Sequence, residues 1–150
     1  MNKEYMLKAL ELAKRSAESD DVPVGAVVVK DGKIIAKGYN RRERDNDPTA
    51  HAEIIAIKEA ARVLGGWHLE DCELYVTLEP CPMCAGAIIN SRIKRVVFGA
   101  YEPKSGSCSA DSVVNLFNLP YNHTPEVYGG ICEKECAEII TEFFKQKRQG

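Results

Sequence analysis

Cys72-Glu-Leu-Tyr-Val-Thr-Leu78, running on through Glu79-Pro80-Cys81-Pro82-Met83-Cys84 to Arg95-Val-Val-Phe-Gly-Ala100, is the passage on which the fold turns. The two flanking runs are short, apolar and rich in β-branched and aromatic residues, which is the composition of strands. Between them the Pro-bracketed segment from about Pro82 to Ser91 predicts a helix, with Pro82 suited to the first helical position, where a backbone N–H has no partner in any case. Strand, helix, strand in so short a span is a β-α-β unit, whose strands normally run parallel.

Working outward, Gly25-Ala-Val-Val-Val-Lys30 and Lys33-Ile-Ile-Ala-Lys-Gly-Tyr39 flank Asp31-Gly32, a two-residue hairpin signal. Hairpin and β-α-β unit together predict a mixed sheet with an antiparallel hairpin at one end. Tyr5, Met6, Ala9, Leu10, Leu12, Ala13 and Ala17 recur at helical spacing over about 3–19. Ile54, Ile57, Ala61 and Leu64 do so over about 49–64, where Gly65 and Gly66 close the helix. A last helix is expected over about 132–147, with one of Phe143 and Phe144 in the core and the other partly exposed. Residues 101–125, dominated by Gly, Ser, Asn and Pro, are expected to form a functional loop or lid.

Composition narrows the class. The chain has 150 residues, 45% hydrophobic and 28% charged, which excludes a disordered, collagenous or coiled-coil protein and suits one compact domain over 1–150. A core of that size needs no disulfide scaffold. No apolar run approaches the ~20 residues of a membrane span, and residues 1–12 alternate charged with apolar side chains where a signal peptide would be continuously apolar. A soluble, cytoplasmic protein is therefore expected, with six cysteines serving as thiols, metal ligands or core residues. Cys132 and Cys136, one helical turn apart, are expected to be core residues. With 20 Lys and Arg against 22 Asp and Glu the net charge is −2, so no global basic field marks a nucleic-acid partner and any RNA contact must be local.

The chemistry concentrates in two segments, Pro48-Thr-Ala-His51-Ala52-Glu53 and Pro80-Cys81-Pro82-Met83-Cys84, each at the start of an expected helix. Cys81 at a helix N-cap and Cys84 three positions on can turn both sulfurs to one side of the first turn. The positive end of the helix favours the thiolates that bind metal. His51 supplies the expected third ligand. Glu53, two residues on, points roughly 200° around a regular helix from it and is not placed to be the fourth. Three protein ligands and an open position define a catalytic zinc, which lowers the pKa of water to ~7, with an unbound carboxylate to carry protons. Taken alone, Cys-x-x-Cys is equally a redox or structural-zinc pattern.

His-x-Glu combined with Pro-Cys-x-x-Cys is the signature of zinc nucleobase deaminases. Val22-Pro-Val-Gly-Ala26, Asp47-Pro-Thr-Ala-His-Ala-Glu53, Thr77-Leu-Glu-Pro-Cys81, Ser91-Arg-Ile93 and Arg95-Val-Val-Phe-Gly-Ala100 resemble the bacterial tRNA-specific adenosine deaminases of the cytidine-deaminase-like superfamily, over nearly the whole chain. That resemblance implies a three-layer α/β/α fold around a mixed sheet of about five strands. It also implies one Zn2+ per subunit of a homodimer, held by His51, Cys81 and Cys84. The reaction it implies is hydrolysis of adenosine to inosine at the wobble position of a tRNA anticodon stem-loop, with Glu53 as proton shuttle. It further nominates Val24, Asn40, Ala52, Glu102, Asn122, His123, Phe144 and Arg148 as substrate contacts. Phosphate partners are sought among Arg41, Arg42, Arg44, Arg92, Lys94, Arg95, Lys104, Lys145, Lys147 and Arg148. Glu102 stands where the family commonly has Asp, and Cys108-Ser-Ala-Asp-Ser112 is longer than the family's usual Gly-Ser turn. Two alternatives share the zinc motif: a deaminase of free guanine, cytosine or a cytidine nucleotide, and a non-catalytic RNA-binding subunit that keeps zinc for stability.

Overall fold

The computed structural model describes residues 2–149. Among these, five strands form one sheet: β1 (Gly25–Lys30), β2 (Lys33–Tyr39), β3 (Cys72–Leu78), β4 (Arg95–Ala100) and β5 (Glu126–Tyr128), in the spatial order β2-β1-β3-β4-β5. β1 pairs antiparallel with both β2 and β3, while β3, β4 and β5 run parallel. The helices are α1 (Lys3–Ala17), α2 (Ala52–Leu64), α3 (Pro82–Asn90) and α4 (Glu133–Gln149), with a single 3-10 turn at Leu116–Asn118. No helix among the described residues is long and apolar enough to cross a membrane.

The pleat of the central strands sorts the core into two layers. Ala26, Val28, Leu74 and Val76 join Ala52 and Ala56 of α2 and Ala85 and Ile88 of α3 on one face. Val27, Val29, Tyr75 and Val97 join Met6, Ala9 and Leu10 of α1 and Cys136 of α4 on the other. The result is the three-layer α/β/α arrangement, and it explains why β1 reads as an uninterrupted apolar run: it is buried on both sides.

Glycine permits the closest helix approaches. A Cβ on Gly25 would lie 1.9 Å from the Ala9 carbonyl oxygen of α1, and one on Gly38 would lie 2.4 Å from the Ala52 carbonyl oxygen of α2. Both obstacles are backbone, which cannot step aside as a side chain can. Gly25→Ala is therefore expected to cost about 3 kcal/mol, at the upper end for overpacking, and to lower the melting temperature by roughly 6–12 °C in a chain of this size. A thermal melt within about 2 °C of wild type would contradict this packing.

Element boundaries depart from the expectations at three places. α2 begins at Ala52, later than about Thr49, because the Asp47 carboxylate accepts both the backbone N–H and the hydroxyl of Thr49 at 2.8 Å and holds 47–51 in a turn. Cys132 precedes α4 with φ +57, so only Cys136 is helical, although both are buried in one core cluster. β5 went unread because three residues carry no alternation to detect. Phe143 is buried and Phe144 is 44% exposed, as the sequence led us to expect.

Candidate active site and metal centre

The site forms where the carboxyl end of β3 meets the N-termini of α2 and α3, the crevice that open α/β sheets offer to ligands. His51 is the N-cap of α2 and Cys81 the N-cap of α3, with Pro82 at the first position and Cys84 at the third. Neither N-cap side chain makes a capping hydrogen bond, which leaves the imidazole and the thiol free to face each other across the gap between the helices. His51 Nδ1 lies 3.6 Å from Cys81 Sγ and 3.6 Å from Cys84 Sγ. A tetrahedral zinc with bonds of about 2.0 Å to nitrogen and 2.3 Å to sulfur separates such donors by about 3.5 Å, so the three residues fit that ion. They are the one His/Cys/Asp/Glu cluster with metal-binding spacing among the described residues.

The electrostatics suit a cation. The Cys84 thiol donates to Cys81, which together with His51 holds the Cys81 sulfur down to about 4, as a thiolate. The same hydrogen bond, with burial, pushes the Cys84 thiol up. Cys81 in turn raises His51. Glu53, 4% exposed in the first turn of α2, is pushed up to about 7 by burial, with Cys81 adding to the rise. A carboxyl with that affinity for protons is suited to accept one and return it near neutrality. It lies outside the ligand triangle, as its position on the helix requires.

The triangle opens on a cavity of about 290 Å³. Of the nominated substrate contacts, Val24, Asn40, Ala52, Glu102 and Phe144 line it beside His51, Glu53 and Cys81. Asn40 is oriented by its backbone neighbours: its Nδ2 donates to the Val22 carbonyl at 3.1 Å and its Oδ1 accepts from the Arg42 N–H at 3.2 Å. Asn122, His123 and Arg148 are not brought into the cavity wall. His123 Nε2 donates to the Ile93 carbonyl at 2.6 Å, an anchor for the long loop against the start of β4. Arg148 sits in the last turn of α4, where a cation complements the helix dipole. Several nominated phosphate partners are committed to acids: Arg41 to Asp45 at 3.0 Å, Arg95 to Glu73 at 2.6 Å and Glu126 at 2.9 Å, and Lys147 to Asp20 at 2.7 Å.

Sequence reasoning missed Val22, Leu78, Glu79, Ser105 and Ile140 as lining residues. Glu79 alone left a signal, an acid set between the apolar Leu78 and Pro80 where a strand enters the core.

Three donors on two helix N-termini, with a buried carboxyl left uncoordinated beside them, define a zinc-dependent deaminase-type centre. Comparison with known proteins agrees. Residues 1–100 match the family model described as the cytidine and deoxycytidylate deaminase zinc-binding region. The tRNA-specific adenosine deaminase of Bacillus subtilis is 48% identical over 145 residues, covering 97% of this chain and 89% of that protein. A solved structure from work on A-to-I editing by tRNA:A34 deaminases at the wobble position superposes with a TM-score of 0.88 at 47% identity, covering 92% of this chain and 99% of that one. A solved guanine deaminase from Bacillus subtilis is 48% identical with a TM-score of 0.64, over 67% of this chain and 66% of that one. The chain belongs to the tRNA-specific adenosine deaminases of the cytidine-deaminase-like family.

Proposed function

We propose that this chain converts adenosine to inosine at the wobble position of a tRNA anticodon, releasing ammonia, as one single-domain subunit of a cytoplasmic homodimer with one zinc in each subunit. The observation that carries the reading is the triangle of His51, Cys81 and Cys84 beside the buried, unbound Glu53, at a cavity walled by Asn40. Supporting the dimer is an exposed apolar stretch in the long loop, where Val113 is 80% and Tyr121 50% exposed.

Zinc, when bound, supplies Lewis acidity and makes water a nucleophile at neutral pH. The chain's residues supply the rest. Glu53 takes a proton from the attacking water and delivers it to the ring nitrogen next to C6. It then transfers the second proton to the departing amine, so that a C6–O bond replaces the C6–N bond and ammonia leaves. Its burial keeps bulk water from intercepting those protons. Asn40, its amide already fixed by Val22 and Arg42, offers one remaining N–H and one oxygen lone pair to the purine edge. Val24 and Ala52 are small enough to leave room for a flat ring, and Phe144 presents an aromatic face at the cavity rim. The base must leave its stack to reach the site, which a single-stranded anticodon loop allows.

Incubating zinc-loaded protein with an anticodon stem-loop carrying wobble adenosine, with guanine and cytidine in parallel, tests the substrate. Inosine in the RNA with no turnover of the small molecules is expected. The kinship with a guanine deaminase favours one second reading, deamination of a free base, and turnover of guanine with none on the stem-loop would establish it over the first. Asn40→Ala is expected to raise KM or lower kcat for the stem-loop by about ten-fold or more, the scale of a lost hydrogen bond in a buried site. Unchanged kinetics would remove Asn40 from the purine site.

A further inference from the structure

Glu79 is 4% exposed at the end of β3, and the proton transfers described above do not call on it. Its carboxylate collects donors from one stretch of chain. Oε1 accepts the Glu102 N–H at 3.1 Å, and Oε2 accepts the Cys108 N–H at 3.2 Å and the Ser109 N–H at 3.2 Å. The Ser109 hydroxyl donates to Oε2 at 3.0 Å and the Ser112 hydroxyl at 2.6 Å. The adjoining Pro80 carbonyl accepts the Ser107 N–H at 3.0 Å. Between these ties the chain passes so close that a Cβ on Gly106 would overlap Glu79, with the Oε1 atom 2.3 Å away.

Two further features single out this carboxylate. No ion pair to Glu79 exists among the described residues, so its buried charge is met by N–H and O–H donors alone. A buried anion is costly to keep, and its removal leaves every donor aimed at it without a partner. The segment it gathers is polar and Gly/Ser-rich, with Cys108 as its buried apolar anchor and the Pro80 and Ser107 backbone bonds beside it, and the carboxylate takes more of its donors than any other group. Yet that segment supplies Glu102 and Ser105 to the cavity wall.

We propose that Glu79 is a positioning residue. It fixes the 102–112 segment, using the Ser109 and Ser112 hydroxyls in the longer turn of this chain, so that Glu102 and Ser105 stand in the cavity wall and the site is pre-shaped for RNA. It therefore governs substrate binding more than the proton transfers at Glu53. This inference rests on the wobble-adenosine reading for its substrate and on the hydrogen bonds alone for the loop.

The test is Glu79→Gln, compared with Ser109→Ala/Ser112→Ala and with the triple variant. Glutamine keeps one oxygen, so its NH2 group faces either the Glu102 N–H or the Cys108 and Ser109 N–H groups and leaves them without an acceptor. Expected are one zinc per chain as in wild type, amide exchange at Glu102 or at Cys108 and Ser109 at least about ten-fold faster with β3 and β4 unaffected, and KM for the stem-loop raised at least about ten-fold with kcat within about three-fold. The serine pair is expected to give a smaller rise in KM, and the triple variant less than the product of the two effects, because both act through one carboxylate. Unchanged exchange at all three of Glu102, Cys108 and Ser109, a loss confined to kcat, or a simple product in the triple variant would overturn the proposal. The serine pair keeps this decisive if the glutamine variant folds poorly. A wild-type protein that forms no inosine would overturn the wobble reading and the substrate half of this one, while amide exchange would still decide whether Glu79 holds the loop.

Discussion

Glu53→Gln is expected to retain one zinc per chain and the native fold while losing at least about 10³-fold in turnover of the stem-loop, within the range general acid–base catalysis contributes. The substitution is nearly isosteric, and Glu53 lies outside the cluster of His51, Cys81 and Cys84, so neither packing nor metal binding has reason to change. What disappears is the carboxyl group to which the proposed mechanism assigns the transfer of a proton from water to nitrogen. A melting temperature equal to or above that of wild type is also expected. A neutral amide costs less to bury than the ionisable carboxyl it replaces, in a position only 4% exposed. Active sites commonly sacrifice stability in this way. Turnover within about three-fold of wild type would show that the proton path runs elsewhere.

His51→Ala and Cys84→Ala are expected to fail at an earlier step. Loss of an outer-shell partner of a metal site typically weakens binding by roughly 10–100-fold, and loss of one of three direct ligands should exceed that. Both variants are therefore expected to purify with little zinc and to show only background deamination. They should also lose the stabilisation that a tightly held ion confers, about 4 kcal/mol at a thousand-fold excess over its dissociation constant, and melt roughly 8–16 °C lower. Cys84→Ala carries an added cost because Cys84 is fully buried in α3 and the substitution leaves a void. Cys84→Ser, which fills the space with a poor zinc ligand, separates the two effects. Metal analysis and calorimetry on the same samples decide the matter, and a His51→Ala protein with a full complement of zinc would place the ion elsewhere.

Much of this could be read from the chain because the physics is local. The Asp31-Gly32 turn, the doubly buried β1 and β3 and the Pro82 helix start each announce themselves within a few residues, and they fix where the two helix N-termini meet. The closeness of the two cysteines was legible as well, since N-cap and third-position residues on one helix can share a side, and His51 joins them from the N-cap of α2. What escaped reading depends on contacts distant in sequence. β5 exists because Glu126–Tyr128 lies along β4, with Glu126 paired to Arg95, and nothing in three residues encodes that. Glu79 was quoted within its motif without a role, because its donors lie more than twenty residues ahead in the loop. His123 was carried over as a substrate contact by resemblance, and its ring turned out to be engaged with the Ile93 carbonyl. For the basic residues the same holds: whether Arg41 or Lys147 is available to phosphate depends on Asp45 and Asp20, partners that the sequence pattern does not mark.

A zinc titration measures most directly what sustains the enzymatic reading. Protein stripped by a chelator and reloaded in steps should gain stem-loop deamination in proportion to bound zinc, reaching a plateau at one ion per chain. Inosine formed at an undiminished rate by protein that holds no transition metal would contradict it.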